Sequence, residues 1–389
     1  MTVDLIRQGL AWGGDLFALA ALAGLIYLAL NLLALLRRPN ASGPTASPTP
    51  VSVLVPLCGA EQGLYDRLAA LCRQDYDAPV QIVCGVASAA DPAVAIVQEI
   101  ARDFPEGRID LEVNPRLHGL NRKVSNLVNM ARLAEYDTLV MLDSDIQVDA
   151  HYLSHLVGEL EAPRVGAVSC LYYGVGGGGL WASLSAMSIN LDFLPNVISA
   201  LRLRMGSPCF GATIALRRST LERIGGLADF ADTLYDDYAI GASVRAAGLE
   251  VAICERSVGH VCLERSTREL LHTQSRRAHT IRAIDRWGNA GSVITHPLGL
   301  AVLAAMLGNP EGAPLVGAAI ALRLLQCFAI EWRFGLPRQP YLALPVRDLL
   351  AFGIYLSALA GRGGVVWRGQ RFHVAGNGDL TPAPASERL

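Results

Sequence analysis

Apolar and polar positions change pattern three times along the chain. Asp15 to Leu36, DLFALAALAGLIYLALNLLALL, carries one charge, at its very start, and is long enough to cross a bilayer as a helix. Arg37 and Arg38 come directly after it. No positive leader region dominates and no small-residue cleavage site stands out, so the segment is expected to be a retained anchor. Its basic flank places the residues beyond Arg38 in the cytoplasm. Residues 39 to 50, PNASGPTASPTP, should form a solvated linker.

From Val51 to about Cys262 short apolar runs alternate with helical spacing. VSVLVPL, PVQIVCGV, IDLEVN, TLVMLDSD and VGAVSCLYY are rich in Val, Ile and Leu, while LYDRLAALCRQ and PAVAIVQEIARDF between them repeat as helices do. This alternation predicts an α/β domain with a mostly parallel sheet. Ligands of such folds gather at the carboxyl ends of the strands.

The third pattern is apolar again. Residues 179 to 205 read either as an amphipathic helix or helix pair at a membrane surface, with Trp181, Phe193, Leu194, Arg202 and Arg204 at the interface, or as an ordinary core helix. Residues 297 to 332 predict a tight membrane hairpin broken by GNPEGAP, and 349 to 361 reaches spanning length only if Leu342 to Val346 contribute. Arg323 and Arg347 must then face headgroups, protein or a cavity. The expected division is an anchor over 1–38, a linker over 39–50, a catalytic domain over 51–290, membrane helices over 291–361 and a tail over 362–389, disordered from Asn377.

Composition supports a mixed protein. The 389 residues are 52% hydrophobic and only 17% charged, too apolar for an ordinary soluble enzyme and too charged for a pure membrane bundle. The net charge is -2 and no basic run stands out, which sets nucleic-acid partners aside. Eight cysteines show no CxxC pair and mostly fall in strand-like apolar surroundings, as reduced core residues would.

Chemistry concentrates at the end of one strand. LVMLDSDIQVD, residues 139 to 149, delivers Asp143, Asp145 and Asp149 from a buried run. Close carboxylates repel unless a cation joins them, so metal-bound diphosphate is one reading and a simple turn cap the other. Asp91, in SAADPA, suits the N–H of a base ring or a helix start before proline. In HGLNRKVSNLVNM, residues 118 to 130, Gly119 permits a tight turn, Lys123 offers a charge for a phosphate, and Asn126 shares its helical face. Asp236 and Asp237 open a helix, where backbone N–H groups would keep a general base ionised. A metal site, a phosphate partner and a base beside a membrane fit inverting sugar transfer from a nucleotide diphosphate to a lipid hydroxyl.

Residues 51 to about 287 also resemble the ceramide glucosyltransferase group of GT-A glycosyltransferases, which carry three separated aspartate signatures and then a (Q/R)xxRW motif. DPA at Asp91, DSDI at Asp143 and Asp145, and DDY at Asp237 are similar to the three signatures. HGLNRKVSNL, DSDIQV, PCFGATIALRRSTLERIGG, YDDYAIGASVRA, GSVITHPL and the final VVWRGQRFHV resemble blocks of the hopanoid biosynthesis-associated members. The resemblance implies a Rossmann-like GT-A nucleotide-sugar domain. It implies transfer of N-acetylglucosamine from a UDP donor to a bacteriohopane polyol hydroxyl at the bacterial inner membrane, with a divalent metal, Mg or Mn. By the same analogy Asp91 and Asp143 contact the uridine part, Asp145 the metal, and Asp237 is the base.

One departure stands out. The chain reads Thr273-Gln274-Ser275-Arg276-Arg277-Ala278, then Thr280-Ile281-Arg282. Aligned on the latter triplet, Arg276 takes the catalytic arginine's place and Arg277 stands on the donor side where tryptophan is expected. Aligned on Gln274, Arg277 is the arginine and Ala278 replaces the tryptophan. An arginine cannot make the same apolar contact, so donor or acceptor choice is expected to differ. Ceramide as acceptor and a weakly active lipid-binding scaffold are the alternative readings.

Overall fold

The computed structural model describes residues 2–37, 48–361, 365–367, 370–374 and 380–382. The chain opens on α1 (Thr2–Leu36), which extends the apolar run toward the N-terminus. Most of the expected linker lies outside the described residues. Strands and helices then alternate: β1 (Val51–Pro56), α2 (Leu64–Cys72), β2 (Val80–Val86), α3 (Ala93–Asp103), β3 (Arg108–Val113), α4 (Arg122–Met130), β4 (Thr138–Leu142), β5 (Ile146–Gln147), α5 (Tyr152–Leu160) and β6 (Val165–Gly176). After α6 (Gly179–Ser188) and α7 (Leu194–Arg202) come β7 (Thr213–Arg217), α8 (Arg218–Arg223), α9 (Asp236–Ala246) and β8 (Glu250–Cys262).

One eight-stranded sheet has the order β3-β2-β1-β4-β7-β6-β8-β5. The β3-β2-β1-β4 half is parallel, but β7 runs antiparallel to both β4 and β6, so the sheet is mixed where a mostly parallel one was expected. The cause is the α6–α7 excursion: it leaves β6 and returns to β7 at the same end of the sheet. β1 shows how the core is divided. Val53 and Val55 face one layer with Leu68 and Ile100, while Leu54 faces the other with Leu127 and Val244. Period-two alternation thus buries both faces, and each Val or Leu contributes about 1.5–3 kcal/mol.

α6 and α7 are joined by a π-helical segment, Ile189–Phe193, into one run packed against β6 and α1. Its inner face, including Met187 and Leu194, is core, whereas Leu203 and Met205 just beyond its end are exposed. The extra residue of the π turn serves Asn190. This side chain exchanges two hydrogen bonds with the Gly174 backbone, at 2.7 and 3.0 Å, and ties the helix to β6.

The C-terminal part contains α10 (Thr267–Ile284), α11 (Arg286–Gly291), α12 (Pro297–Met306), α13 (Gly312–Phe334) and α14 (Leu344–Ala360). Among the described residues four helical runs are long and apolar enough to cross a membrane: Gln8–Leu36, Gly179–Arg202, Gly312–Phe334 and Tyr341–Ala360. Arg286–Thr295 and Pro297–Met306 form a further pair bent by 67°. α12 packs against α13 across the break at residues 307 to 311, and α14 begins at Leu344, before Leu349. Within the expected tail, β9 (Val365–Trp367), β10 (Gln370–Val374) and β11 (Leu380–Pro382) make a small antiparallel sheet. The strand over Leu380–Pro382 departs from the disorder expected there; the other residues from Asn377 onward lie outside the described set. Six of the eight cysteines are buried and free, Cys72 is half-buried and Cys58 exposed.

Arg323 and Arg347 are buried against protein. Arg323 donates to Asp348 at 3.0 Å and to Asp192 at 3.3 Å, and Arg347 pairs with Asp348 at 2.6 Å and with Asp192. Two positive and two negative groups cancel, which is what makes their burial tolerable. Replacing Asp348 with Asn is expected to cost about 3 kcal/mol by leaving a buried guanidinium short of its partner. A thermal melt of the purified protein in detergent checks this: an unchanged midpoint would show that the network contributes nothing.

Candidate active site

The carboxyl end of β4 is a turn. The Asp143 N–H donates to the Ala212 carbonyl and the Ile146 N–H to the Asp143 carbonyl, both at 3.2 Å. Turn and ligand readings of DSD are therefore compatible, since both aspartate side chains line one cavity of about 2160 Å³. Lys123, from α4, meets Asp143 at 2.6 Å and Asp236 at 3.7 Å. Burial works against the ammonium, but the two carboxylates outweigh it and raise its pKa. Burial also lifts Asp143 to about 6 despite Lys123.

α4 is aimed by three contacts. Asn121 caps it by accepting from the Lys123 and Val124 N–H groups and donates to the Thr233 carbonyl at 2.9 Å. Asn126 donates to the Gly85 carbonyl at 2.8 Å. Gly119 is needed for space rather than for a turn: a Cβ there would stand 2.5 Å from the Ala231 carbonyl oxygen.

Asp145 is pinned by its own carbonyl, which accepts from the Val261 N–H at 2.8 Å. Its Oδ1 is buried without a hydrogen bond, 3.5 Å from Nδ1 of His260 on β8. Burial raises the Asp145 pKa, with Lys123, Arg67 and Arg277 opposing. Burial, then Arg277, pulls His260 down to about 4, so the imidazole is neutral near pH 7. Among the described residues no cluster of three metal-binding side chains forms. The pair present, an unpartnered carboxylate oxygen beside a neutral imidazole, still fits a divalent cation that completes its shell with phosphate oxygens and water.

Asp91 accepts from the Gly59 N–H on both oxygens, at 3.0 and 3.1 Å, and from the Ala93 N–H at 2.9 Å. It thus caps α3 and still lines the cavity. Asp237, in the first turn of α9, accepts from the Gly211 and Tyr238 N–H groups, each at 2.8 Å. Helix-end donors alone would keep it strongly acidic. Burial, then neighbouring Asp236, instead raises its pKa to about 6. Arg276 and Arg277 on α10 both line the cavity, as does Ala278. Arg277 reaches to 3.5 Å from Nε2 of His260, and burial, then Arg277, lowers the Arg276 pKa.

Asp91, Lys123, Asp143, Asp145, Asp237, Arg276 and Arg277 therefore meet at one cavity, whereas Asp149, the third carboxylate of the acidic stretch, lies outside it and pairs with Arg256 at 3.0 Å. Sequence reasoning missed His260, Glu61 and Arg67. Arg67 donates from Nε to the Ser144 carbonyl at 2.5 Å and pairs with Glu61 at 3.2 Å, holding the DSD turn from behind. It also missed the aromatic wall in which Tyr172 stacks on Phe193 at 4.4 Å with Phe210 edge-on. A lone His in GHVC and an Arg in LYDRL carry no local signal; only pairing β8 beside β5 brings His260 to Asp145. The arrangement can bind a polyanion, seat a hard cation and accept a proton.

Comparison with known proteins agrees in kind. Ceramide glucosyltransferase of Gibberella zeae is 33% identical over 131 residues, covering 31% of this chain and 25% of the relative. Ceramide glucosyltransferase 1 of Caenorhabditis elegans is 24% identical over 251 residues, 61% of this chain and 53% of the relative. The chain thus spans from a quarter to about half the length of these relatives. The structure of a Pyrobaculum calidifontis mannosyltransferase, solved with GDP-Man and Mn2+, covers 90% of this chain and 99% of its own at TM-score 0.50 and 22% identity. The shared fold is the mixed α/β, Rossmann-like GT-A fold. Residues 16–380 match the profile of glycosyl transferase family 21, and the chain belongs to that family.

Proposed function

We propose that this chain transfers a sugar, N-acetylglucosamine, from a UDP donor to the hydroxyl of a hopanoid polyol at the cytoplasmic face of a bacterial inner membrane. The observation that carries the transferase reading is the single cavity. It gathers Asp143, Lys123, Asp145, Arg277 and Asp237 in one space with residues of α7 and α14. Asp91 and Asp143 suit the uridine end, and Lys123, Arg276 and Arg277 the diphosphate. A divalent cation held by Asp145 and His260, Mg or Mn, would neutralise charge on the leaving diphosphate. Asp237 takes the acceptor hydroxyl's proton while its oxygen bonds the anomeric carbon. The bond from that carbon to the diphosphate oxygen breaks with its electron pair, releasing UDP.

The ceramide reading has its own support, since the curated relatives are ceramide glucosyltransferases. A scaffold would have no use for the aligned base, cation pair and arginines. Lipid spectra from a deletion strain, together with transfer from radiolabelled UDP-sugars to each lipid, separate the acceptors.

Asp237→Asn is expected to lower transfer by about 10²–10⁴-fold without loss of protein or of UDP binding. In the parent protein kcat/KM should fall tenfold per pH unit below about pH 6, because the active form is the ionised carboxylate and protons remove it. Undiminished transfer by the variant would refute the assignment of the base.

His260→Ala is expected to raise the Mn2+ concentration for half-maximal rate by about tenfold or more. Mn2+ or Mg2+ should also raise the parent's melting temperature, and this shift should shrink in the variant. Equal shifts in both would remove His260 from the cation site.

A further inference from the structure

The membrane-side end of the cavity is built for something that the donor does not supply. Gln274 Nε2, Asn289 Nδ2 and Arg347 Nε are buried without hydrogen-bond partners, and all three residues line this cavity. Asn289 and Arg347 are only 5% and 4% exposed. A buried donor without a partner costs about 1–3 kcal/mol, so three around one space mark a place where oxygen atoms of a ligand belong.

We infer that this end is the acceptor chamber, and that Gln274, Asn289 and Arg347 hold the uncharged, oxygen-bearing head of a lipid drawn from the bilayer. The inference rests on the transferase reading above. Charge selects the head. Arg323 and Arg347 are already balanced by Asp192 and Asp348, so the network beside Asn289 offers no net positive charge to a lipid phosphate, Arg276 and Arg277 being assigned to the donor, whereas hydroxyl or carbonyl oxygens need only the free N–H groups. Shape and surroundings select the lipid. Val197 on α7 and Leu350 and Ile354 on α14 line the same cavity, both helices belong to runs long and apolar enough to cross a membrane, and Val346 and Met205, which also line it, are 70% and 73% exposed. A hydrocarbon body can therefore remain among the helices while its head points toward Asp237.

The test uses the purified full-length protein in detergent, with ceramide and bacteriohopanetetrol as neutral probes and a polyprenyl phosphate as the anionic one. Asn289→Leu and Gln274→Leu should each raise the KM for the accepted neutral lipid by about tenfold, the loss of one hydrogen bond to a buried donor. The UDP dissociation constant should stay within about twofold, which also certifies folding. Ala351→Trp, which fills the α14 wall, should cut neutral lipid retained in native mass spectrometry by about tenfold. Acceptor KM unchanged in both polar variants, or polyprenyl phosphate used as well as the neutral lipids, would overturn the inference while leaving the transferase reading intact. If the parent binds UDP but glycosylates no lipid, the transferase reading fails and retention decides the chamber. Neutral lipid kept by the parent and lost from Asn289→Leu supports it, and no retention by the parent overturns it.

Discussion

Four carboxylates, Asp143, Asp145, Asp236 and Asp237, share one half-buried end of the sheet, and their mutual repulsion is the constraint to which the surrounding structure answers. Two unit charges 4 Å apart at an effective dielectric of 20 repel by about 4 kcal/mol. Lys123 meets two of the four directly, at 2.6 and 3.7 Å. Arg67, which holds the DSD turn, and Arg277 on α10 both act on Asp145. That is why α4 must be placed so closely, with Asn121 as its cap, Asn126 on the β2 backbone and Gly119 pressed against Ala231. Shifting α4 by one turn would carry Lys123 about 5 Å along its axis and leave Asp143 and Asp236 facing each other.

A second charge problem is solved differently in the apolar half. Asp192, Arg323, Arg347 and Asp348 come from three separate helical segments, so their mutual neutralisation also fixes α13 and α14 against the α6–α7 run. The π turn is what makes this compatible with the sheet. In five residues it gives Asn190 to β6, Asp192 to the arginines and Phe193 to Tyr172. A regular helix would rotate one of the three out of place, since each residue adds about 100°. The membrane-side network and the aromatic wall of the site are thus held by a single irregularity.

The sequence made these features legible to different degrees. Strands buried on both faces, such as β1 and β4, announce themselves as continuous apolar runs, and the acidic stretch marks where β4 ends. β7 and β8 were missed, because TIALR is a short buried run that ends in a charge and ICERSVGH mixes charges into a half-buried strand, and the partners of both lie far away in the chain. The mixed direction of the sheet followed from that omission. Within the site, Asp91, Asp143, Asp145 and Asp237 stood out because adjacent carboxylates at element ends are conspicuous, whereas His260 gains its role only through the β5–β8 pairing. The direction of the Asp237 shift was likewise invisible, since helix-end donors can be read from sequence and burial cannot.

The two arginines that made the motif ambiguous become a simple matter once α10 is seen as the wall joining both ends of the cavity. Gln274, Arg277, Ala278, Ile281 and Ile284 all line it, at spacings of three and four that put them on one helical face. From Gln274 to Ile284 the helix rises by about 15 Å, and along that stripe the side chains change from polar to apolar. Arg277 faces His260 and Arg276 lies beside it, so either alignment leaves a guanidinium lining the cavity beside the Asp145–His260 pair. An indole at 278 would stand midway along the stripe and project into the cavity that Asp237 also lines. Alanine there removes an apolar surface from the wall rather than any group that handles charge.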